Sequence, residues 1–112
     1  MAENDFNTNA LDEVNVHHLF RQIHNIADIL AGTKDDGCDV PVDMEVAGLE
    51  SIIKLAGRAA EETMLSDDPV VTIQIPAQAH MMIAAAETGM ILPSSGYHLL
   101  EDLVSQAEKR LQ

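Results

Sequence analysis

The stretch PVVTIQIPA, residues 69–77, decides the fold, because it is the segment of the chain that reads most clearly as a β-strand. Val, Ile and Thr favour extended backbone, and apolar and polar residues alternate from Val71 to Ile75. We therefore predict one short strand over residues 70–75, ended by Pro76, with one face formed by Val71, Ile73 and Ile75. A lone strand exposes backbone N–H and C=O groups, so it has to pair with another segment or another chain.

Most of the remaining chain has the three- and four-residue spacing of apolar side chains that is typical of amphipathic helices. We predict a mainly α fold with four helices, over about residues 11–31, 41–65, 77–88 and 95–111. Gly32 and Gly89 follow the first and third helices as expected C-caps. The expected core positions in the first and last helices are Val16, Leu19, Phe20, Ile23, Ile26, Ala27, Leu30, Leu100, Leu103, Val104, Ala107 and Leu111.

The domain organisation follows from length and from one ambiguous segment. With 112 residues, the chain is predicted to form a single helical domain over 10–112, preceded by a disordered arm at 1–9. A helical hairpin (10–66) would precede the strand-helix-helix part (69–112). Residues 39–46, DVPVDMEV, also alternate, so the sequence leaves open whether they begin a helix or form a second strand. It likewise leaves open whether the strand pairs within the chain or across a dimer.

The charge is strongly acidic, with 19 Asp and Glu against 6 Lys and Arg and a formal net charge of −13. Fifteen of the acidic residues lie in positions 1–68. Such a field repels nucleic acid and anionic lipid and attracts basic protein surfaces, although acidity also serves solubility alone. We therefore expect a basic protein partner and no membrane. The polar N-terminus lacks the pattern of a signal peptide, so a cytoplasmic location is expected.

No catalytic, cofactor or metal-binding motif stands out, and we predict no enzyme, no cofactor and no metal site. Cys38 is the single cysteine, which excludes an internal disulfide. His17 and His24 share a helical stripe with Glu13, Arg21 and Asp28, and a metal-binding or enzymatic role for them is a third hypothesis. The two histidines are two turns apart, about 10 Å along a helix, which favours a solvated face with ion pairs instead.

The order strand, helix, turn, helix over residues 70–111 resembles the ribbon-helix-helix family. That resemblance implies two chains that pair their strands antiparallel, and it implies that Thr72 and Gln74 face a DNA groove while Ser95 lies near a phosphate. This chain has no Lys or Arg between Arg58 and Lys109, so the usual phosphate-neutralising charge is missing and nucleic acid is not expected as a partner.

Together these patterns predict a homodimer whose strand and methionines form the dimer or partner interface. The expected interface residues are Val71, Thr72, Ile73, Gln74, Ile75, Met81 and Met82. Met side chains suit adaptable binding surfaces, and an exposed Met81 beside an inward Met82 would favour this interpretation. The predicted function is a small acidic, non-enzymatic regulatory or inhibitory protein that binds a basic protein surface. The alternative is a ribbon-helix-helix-like transcriptional regulator or antitoxin.

Overall fold

The structure is a computed structural model that describes residues 2–61 and 67–110. In these residues the chain forms four α-helices and no β-strand. The elements are α1 (Ala2–Asp35), α2 (Val42–Glu61), a π-helical turn (Val70–Gln74), α3 (Ile75–Glu87) and α4 (Ser94–Arg110). The predicted mainly α fold with four helices is confirmed.

The helices form an antiparallel bundle in which α1 packs on α2 and α4, and α3 packs on the same two helices. Contacts between helix ends show the directions. Lys34 at the end of α1 reaches Glu45 at the start of α2, and Asp35 reaches His98 at the start of α4. The four helices therefore alternate in direction, two up and two down, and the α1–α2 and α3–α4 connections lie at the same end of the bundle.

The core is aliphatic, as expected from a chain with little aromatic content. Val16, Leu19, Phe20, Ile23, Ala27 and Leu30 are buried in α1, and Leu100, Leu103, Val104 and Ala107 are buried in α4, so these predicted core positions are confirmed. Ile26 is partly buried against them. The core stripe of α2 consists of Leu49, Ile52, Ala56 and Ala59. Leu111 lies outside the described residues.

The predicted strand over 70–75 is wrong, because these residues form the π-helical turn and the first residue of α3. Val71 and Ile75 are fully buried and four residues apart, whereas Ile73 between them is 63% exposed. A strand would have placed all three on one face. The segment is helical because the burial of Val71 and Ile75 against the other helices outweighs the preference of these residues for a strand. Strand preferences of the different residue types span only about 1 kcal/mol.

Asp68 and Pro69 begin this helical segment. The Val70 N–H donates to Asp68 Oδ1 at 2.9 Å, and the backbone N–H groups of Val71 and Thr72 donate to the Asp68 carbonyl. Arg110 of α4 also donates to Asp68 Oδ1. An aspartate cap followed by proline is a favourable helix start. The Ile75 N–H then donates to the Val70 carbonyl, and this wider turn directly precedes Pro76, whose ring would clash with a normal α-helical ladder.

Several helix ends differ from the prediction. α1 continues past Gly32 to Asp35, and Gly37, with φ of 81°, follows its end. Gly89, with φ of 91°, ends α3 as predicted. α1 begins at Ala2, so it includes positions assigned to a disordered arm. Residues 42–46 are helical, which rules out a strand that extends through 39–46. Positions 62–65 of the predicted second helix lie outside the described residues.

Candidate functional site

The seven residues predicted to form an interface do not share one surface. Val71, Ile75 and Met82 are buried in the core of their own chain. The remaining four, Thr72, Ile73, Gln74 and Met81, are exposed. The difference follows from the helix, because a 3.6-residue period separates side chains that a strand would have grouped.

Of the two adjacent methionines, one is exposed and the other is buried, which favours the interface interpretation. Met81 is 61% exposed and Met82 only 4%. Four residues form a stripe along the outer side of the π-helical turn and α3, spaced by four, four and three positions: Ile73, Ala77, Met81 and Ala84, all of them exposed. We call these four residues the α3 outer face. Between Val70 and Glu87 the sequence has no Asp, Glu, Lys or Arg except Glu87 itself, and His80, beside Met81, is also exposed.

A closed polar cluster joins three helices where α1 ends and α2 and α4 begin. Lys34 Nζ lies 2.8 Å from Glu45 Oε1, and the Tyr97 hydroxyl donates to the same oxygen at 2.8 Å. Glu45 is 3% exposed and Tyr97 fully buried. Burial, followed by the hydrogen bond to Glu45, raises the pKa of Tyr97 and keeps the phenol neutral. These side chains bond one another, so the cluster holds helices together and presents no free group to a substrate.

A more exposed set of charged groups involves Asp35 and His98, the chain neighbours of Lys34 and Tyr97. His98 Nε2 lies 3.0 Å from Asp35 Oδ2, and its Nδ1 lies 3.5 Å from Glu101 Oε2. The hydrogen bond with Asp35, and then the one with Glu101, raises the pKa of His98 above its ordinary value, against the opposing effect of burial. Hydrogen bonds from Ser94 and then His98 lower the pKa of Asp35. The imidazolium form is favoured because both ring nitrogens face carboxylates.

The histidine stripe of α1 does not gather into a site. His17 Nδ1 lies 3.8 Å from Glu108 Oε2 of α4, and the His17 side chain is 46% exposed. Among the residues that the structure describes, no group of three His, Cys, Asp or Glu side chains is placed to hold a metal ion. The side chain of Glu13 lies outside that description. His17 is placed for an ion pair at the edge of the α1–α4 contact.

A shallow acidic cleft lies between the first turns of α2 and the end of α3. It has a volume of about 460 Å³ and is lined by Val42, Asp43, Val46, Ala47, Glu50 and Glu87. Three lining residues are apolar and three are acidic. We call it the α2–α3 cleft. Val42, Val46 and Glu50 follow one another at four-residue spacing, so a single face of α2 supplies most of one wall. Exposed apolar side chains continue beyond the Glu87 end, where Met90 is 62% and Ile91 is 89% exposed.

The cleft can hold an apolar group while its rim attracts positive charge. Val42 is 44% exposed although it begins an otherwise core-facing helix, so part of the cleft wall is apolar surface in contact with solvent. Asp43, Glu50 and Glu87 are exposed at the same place. A side chain with an apolar stem and a cationic head, as in Lys or Arg, matches both properties.

The comparisons with protein-family models, with curated proteins and with solved structures found no match to this chain. Within the residues that were described, none of the helices has the length and apolar character that crossing a membrane requires. The α2–α3 cleft and the α3 outer face are therefore judged on their own chemistry.

Proposed function

We propose that this protein is a small acidic, non-enzymatic regulatory or inhibitory protein that binds a basic protein surface in the cytoplasm. The observation that carries the proposal is the α2–α3 cleft, where Asp43, Glu50 and Glu87 surround an exposed apolar wall. A net charge of −13 extends the attraction beyond the cleft. Long-range charge of one sign accelerates the encounter with an oppositely charged partner. Apolar contacts with the cleft wall then stabilise the complex.

The cleft favours a partner that presents an amphipathic basic element. Val42 and Val46 would contact apolar side chains or the stems of Lys and Arg, while the three carboxylates pair with cationic heads. Met90 and Ile91, which follow Glu87 in the chain, are exposed apolar side chains beyond the end of α3. Flexible methionine side chains adapt to partners of different shape, which suits a regulatory protein.

A homodimer is the second part of the proposal. It is supported by the α3 outer face, where Ile73 and Met81 remain more than 60% exposed on a helix face without Asp, Glu, Lys or Arg. The alternative of a ribbon-helix-helix-like regulator or antitoxin requires a strand at residues 70–75, and those residues are helical. No feature of the α2–α3 cleft favours nucleic acid, because its charge is negative.

The test of partner binding uses two synthetic helical peptides that share one Leu pattern and carry Lys or Glu at the other positions. We expect the Lys peptide to bind and the Glu peptide not to bind, as measured by fluorescence anisotropy at about 0.1 M salt, where the screening length is about 10 Å. Affinity for the Lys peptide should fall as salt is raised. No binding of the Lys peptide at low salt would overturn the proposal.

A matched pair of variants separates the cleft from general acidity. The double variant Glu50→Lys with Glu87→Lys changes the cleft, and the control Glu61→Lys with Asp102→Lys makes the same change in net charge elsewhere. Two exposed ion pairs contribute roughly 1 to 2 kcal/mol, so the cleft variant should bind about 10-fold more weakly than the control. Equal losses in both variants would show that the cleft is not the docking site.

A further inference from the structure

One row of side chains along the outer side of α2 carries its charges in a fixed order. Four exposed residues form this row at spacings of four, three and four positions: Asp43, Ala47, Glu50 and Lys54. Residues at these spacings lie one above the other on a helix. The first three line the α2–α3 cleft, and Lys54 follows one turn after Glu50. The row is therefore acidic along the cleft and becomes basic one turn beyond it.

An apolar row lies beside these carboxylates, on the side of α2 nearer the core. Val42 and Val46 form it, and Val46 is partly buried against the core of the bundle. Glu87 is the α3 residue that lines the cleft. An occupant of the cleft therefore contacts apolar side chains that lie between carboxylates of two different helices.

The spacing of the two α2 carboxylates determines which backbone conformation of an occupant fits them. Asp43 and Glu50 are seven residues apart, which is about 10.5 Å along the axis at 1.5 Å per residue. A second helix that lies along α2 places side chains seven residues apart at the same distance and on one face. An extended chain rises about 3.3 Å per residue and places the side chains of one face about 6.6 or 13 Å apart. A helix therefore matches both carboxylates at once, and a strand does not.

We infer that the α2–α3 cleft binds a helical segment of the partner that carries two Lys or Arg residues seven positions apart, with apolar residues between them. This inference rests on the proposed function and specifies the partner at the same site. The two cationic side chains pair with Asp43 and Glu50, and Glu87 adds a third carboxylate from α3. Apolar residues in the turn between the two cations pack on Val42 and Val46, as in other complexes of a helix in a groove.

Lys54 sets the end of the basic stretch that the protein accepts. A Glu and a Lys four residues apart attract each other on a helix, so Lys54 competes with the partner for Glu50 and repels a further cation beyond it. The wall from Val42 to Glu50 is about 12 Å long, slightly more than two helical turns. Such a contact is smaller than the roughly 800 Å² per partner of a stable interface, so the complex belongs to the transient class.

The experiment compares three synthetic peptides by fluorescence anisotropy at about 0.1 M salt. The matched peptide carries two Lys residues seven positions apart with Leu in the turn between them. The shifted peptide has the same composition with the two Lys residues five positions apart, which places them on opposite sides of the helix. The third is the matched peptide with a central Pro. We expect the shifted and the Pro peptides to bind about 10-fold more weakly than the matched peptide, because each loses the ion pairs of one register. Circular dichroism of the free peptides checks that the first two are equally helical.

Variants of the protein assign this preference to the charged row. Glu50→Gln should reduce the preference for the matched over the shifted peptide, whereas Glu61→Gln, the same change at another exposed position of α2, should leave it intact. Lys54→Gln should strengthen binding of the matched peptide about 2-fold, because the competing cation is removed. Lys109→Gln makes the same change in net charge on α4 and is its control.

Each contrary outcome overturns a defined statement. If the matched and shifted peptides bind equally, the helical register is wrong, while a basic partner at the cleft remains. If the Pro peptide binds as tightly as the matched peptide, the occupant is not a helix. If Glu61→Gln changes the preference as much as Glu50→Gln, the peptide binds elsewhere on the acidic surface. If none of the three peptides binds at low salt, the proposed function fails together with this inference.

Discussion

Glu45 and Glu50 lie less than two turns apart on α2, but one is buried and the other is exposed. Glu45 is 3% exposed and bonded to Lys34 and Tyr97, so it links α2 to α1 and α4. Glu50 is exposed on the wall of the α2–α3 cleft. A buried carboxylate is tolerated when its partners are buried with it, and an exposed one remains available to another molecule. Glu45 therefore stabilises the bundle, whereas Glu50 is available to bind another molecule.

The largest effect is expected when Glu45 is removed. Glu45→Ala leaves the Lys34 charge, 11% exposed, and the Tyr97 hydroxyl without their partner, and we expect the free energy of unfolding to fall by about 3 kcal/mol. Urea unfolding measures it. Glu50→Ala is the control on the same helix and should change stability by less than about 0.5 kcal/mol. Similar losses in both variants would remove the distinction between the two carboxylates.

Tyr97→Phe should have an intermediate effect, because Glu45 keeps its ion pair with Lys34. Loss of a buried hydrogen bond to a charged group costs about 1.5 to 3 kcal/mol, and we expect the lower end here. The pKa of Tyr97 is raised in the folded state above 10.0, so its contribution is complete below about pH 10 and declines above it. Urea unfolding at pH 7 and about pH 10.5 checks both statements. If Tyr97→Phe is as stable as wild type at pH 7, the hydrogen bond to Glu45 does not stabilise the fold.

The smallest effect concerns His98 at the exposed edge of the polar cluster. Its folded pKa is raised, first by the hydrogen bond with Asp35, so its stabilising contribution is complete below about pH 6.5 and is lost as the pH rises through the folded value. The stability difference between wild type and His98→Gln should therefore be larger at about pH 5.5 than at about pH 8. Urea unfolding at the two pH values measures it.

Asp35→Asn provides the control for that pH dependence. Replacing the carboxylate removes the first cause of the raised pKa of His98 and leaves Glu101 in place. In the Asp35→Asn background, the pH dependence of the His98→Gln effect should become weaker. A pH dependence that is unchanged by Asp35→Asn would show that another group controls it.

The helices and most of the core could be predicted from the sequence because apolar side chains repeat at helical spacing. The strand prediction over residues 70–75 failed because Val, Ile and Thr favour strands and because a proline follows the segment. The missed signals were an Asp68–Pro69 helix start and the four-residue separation of Val71 and Ile75. Tertiary burial then decided between two local preferences of similar strength.

The polar cluster had a detectable signal as well. Glu45 lies four residues before Leu49 and seven before Ile52, so it falls on the core stripe of α2, although it is also one of the two acidic residues in the first turn. Tyr97 lies on the core stripe of α4 in the same way. The α2–α3 cleft had no such signal, since Glu87 and Glu50 come together only when the two helices pack.

The packing of α4 against α1 affects how the protein folds as it is synthesised. A ribosome releases α1 first, and the side of α1 that α4 covers stays open to water while α2 and α3 are made. The contact between Asp35 and His98 spans 63 positions of the chain. The bundle can therefore close only after α4 has left the ribosomal tunnel, and nascent chains that stop before α4 expose apolar surface to chaperones.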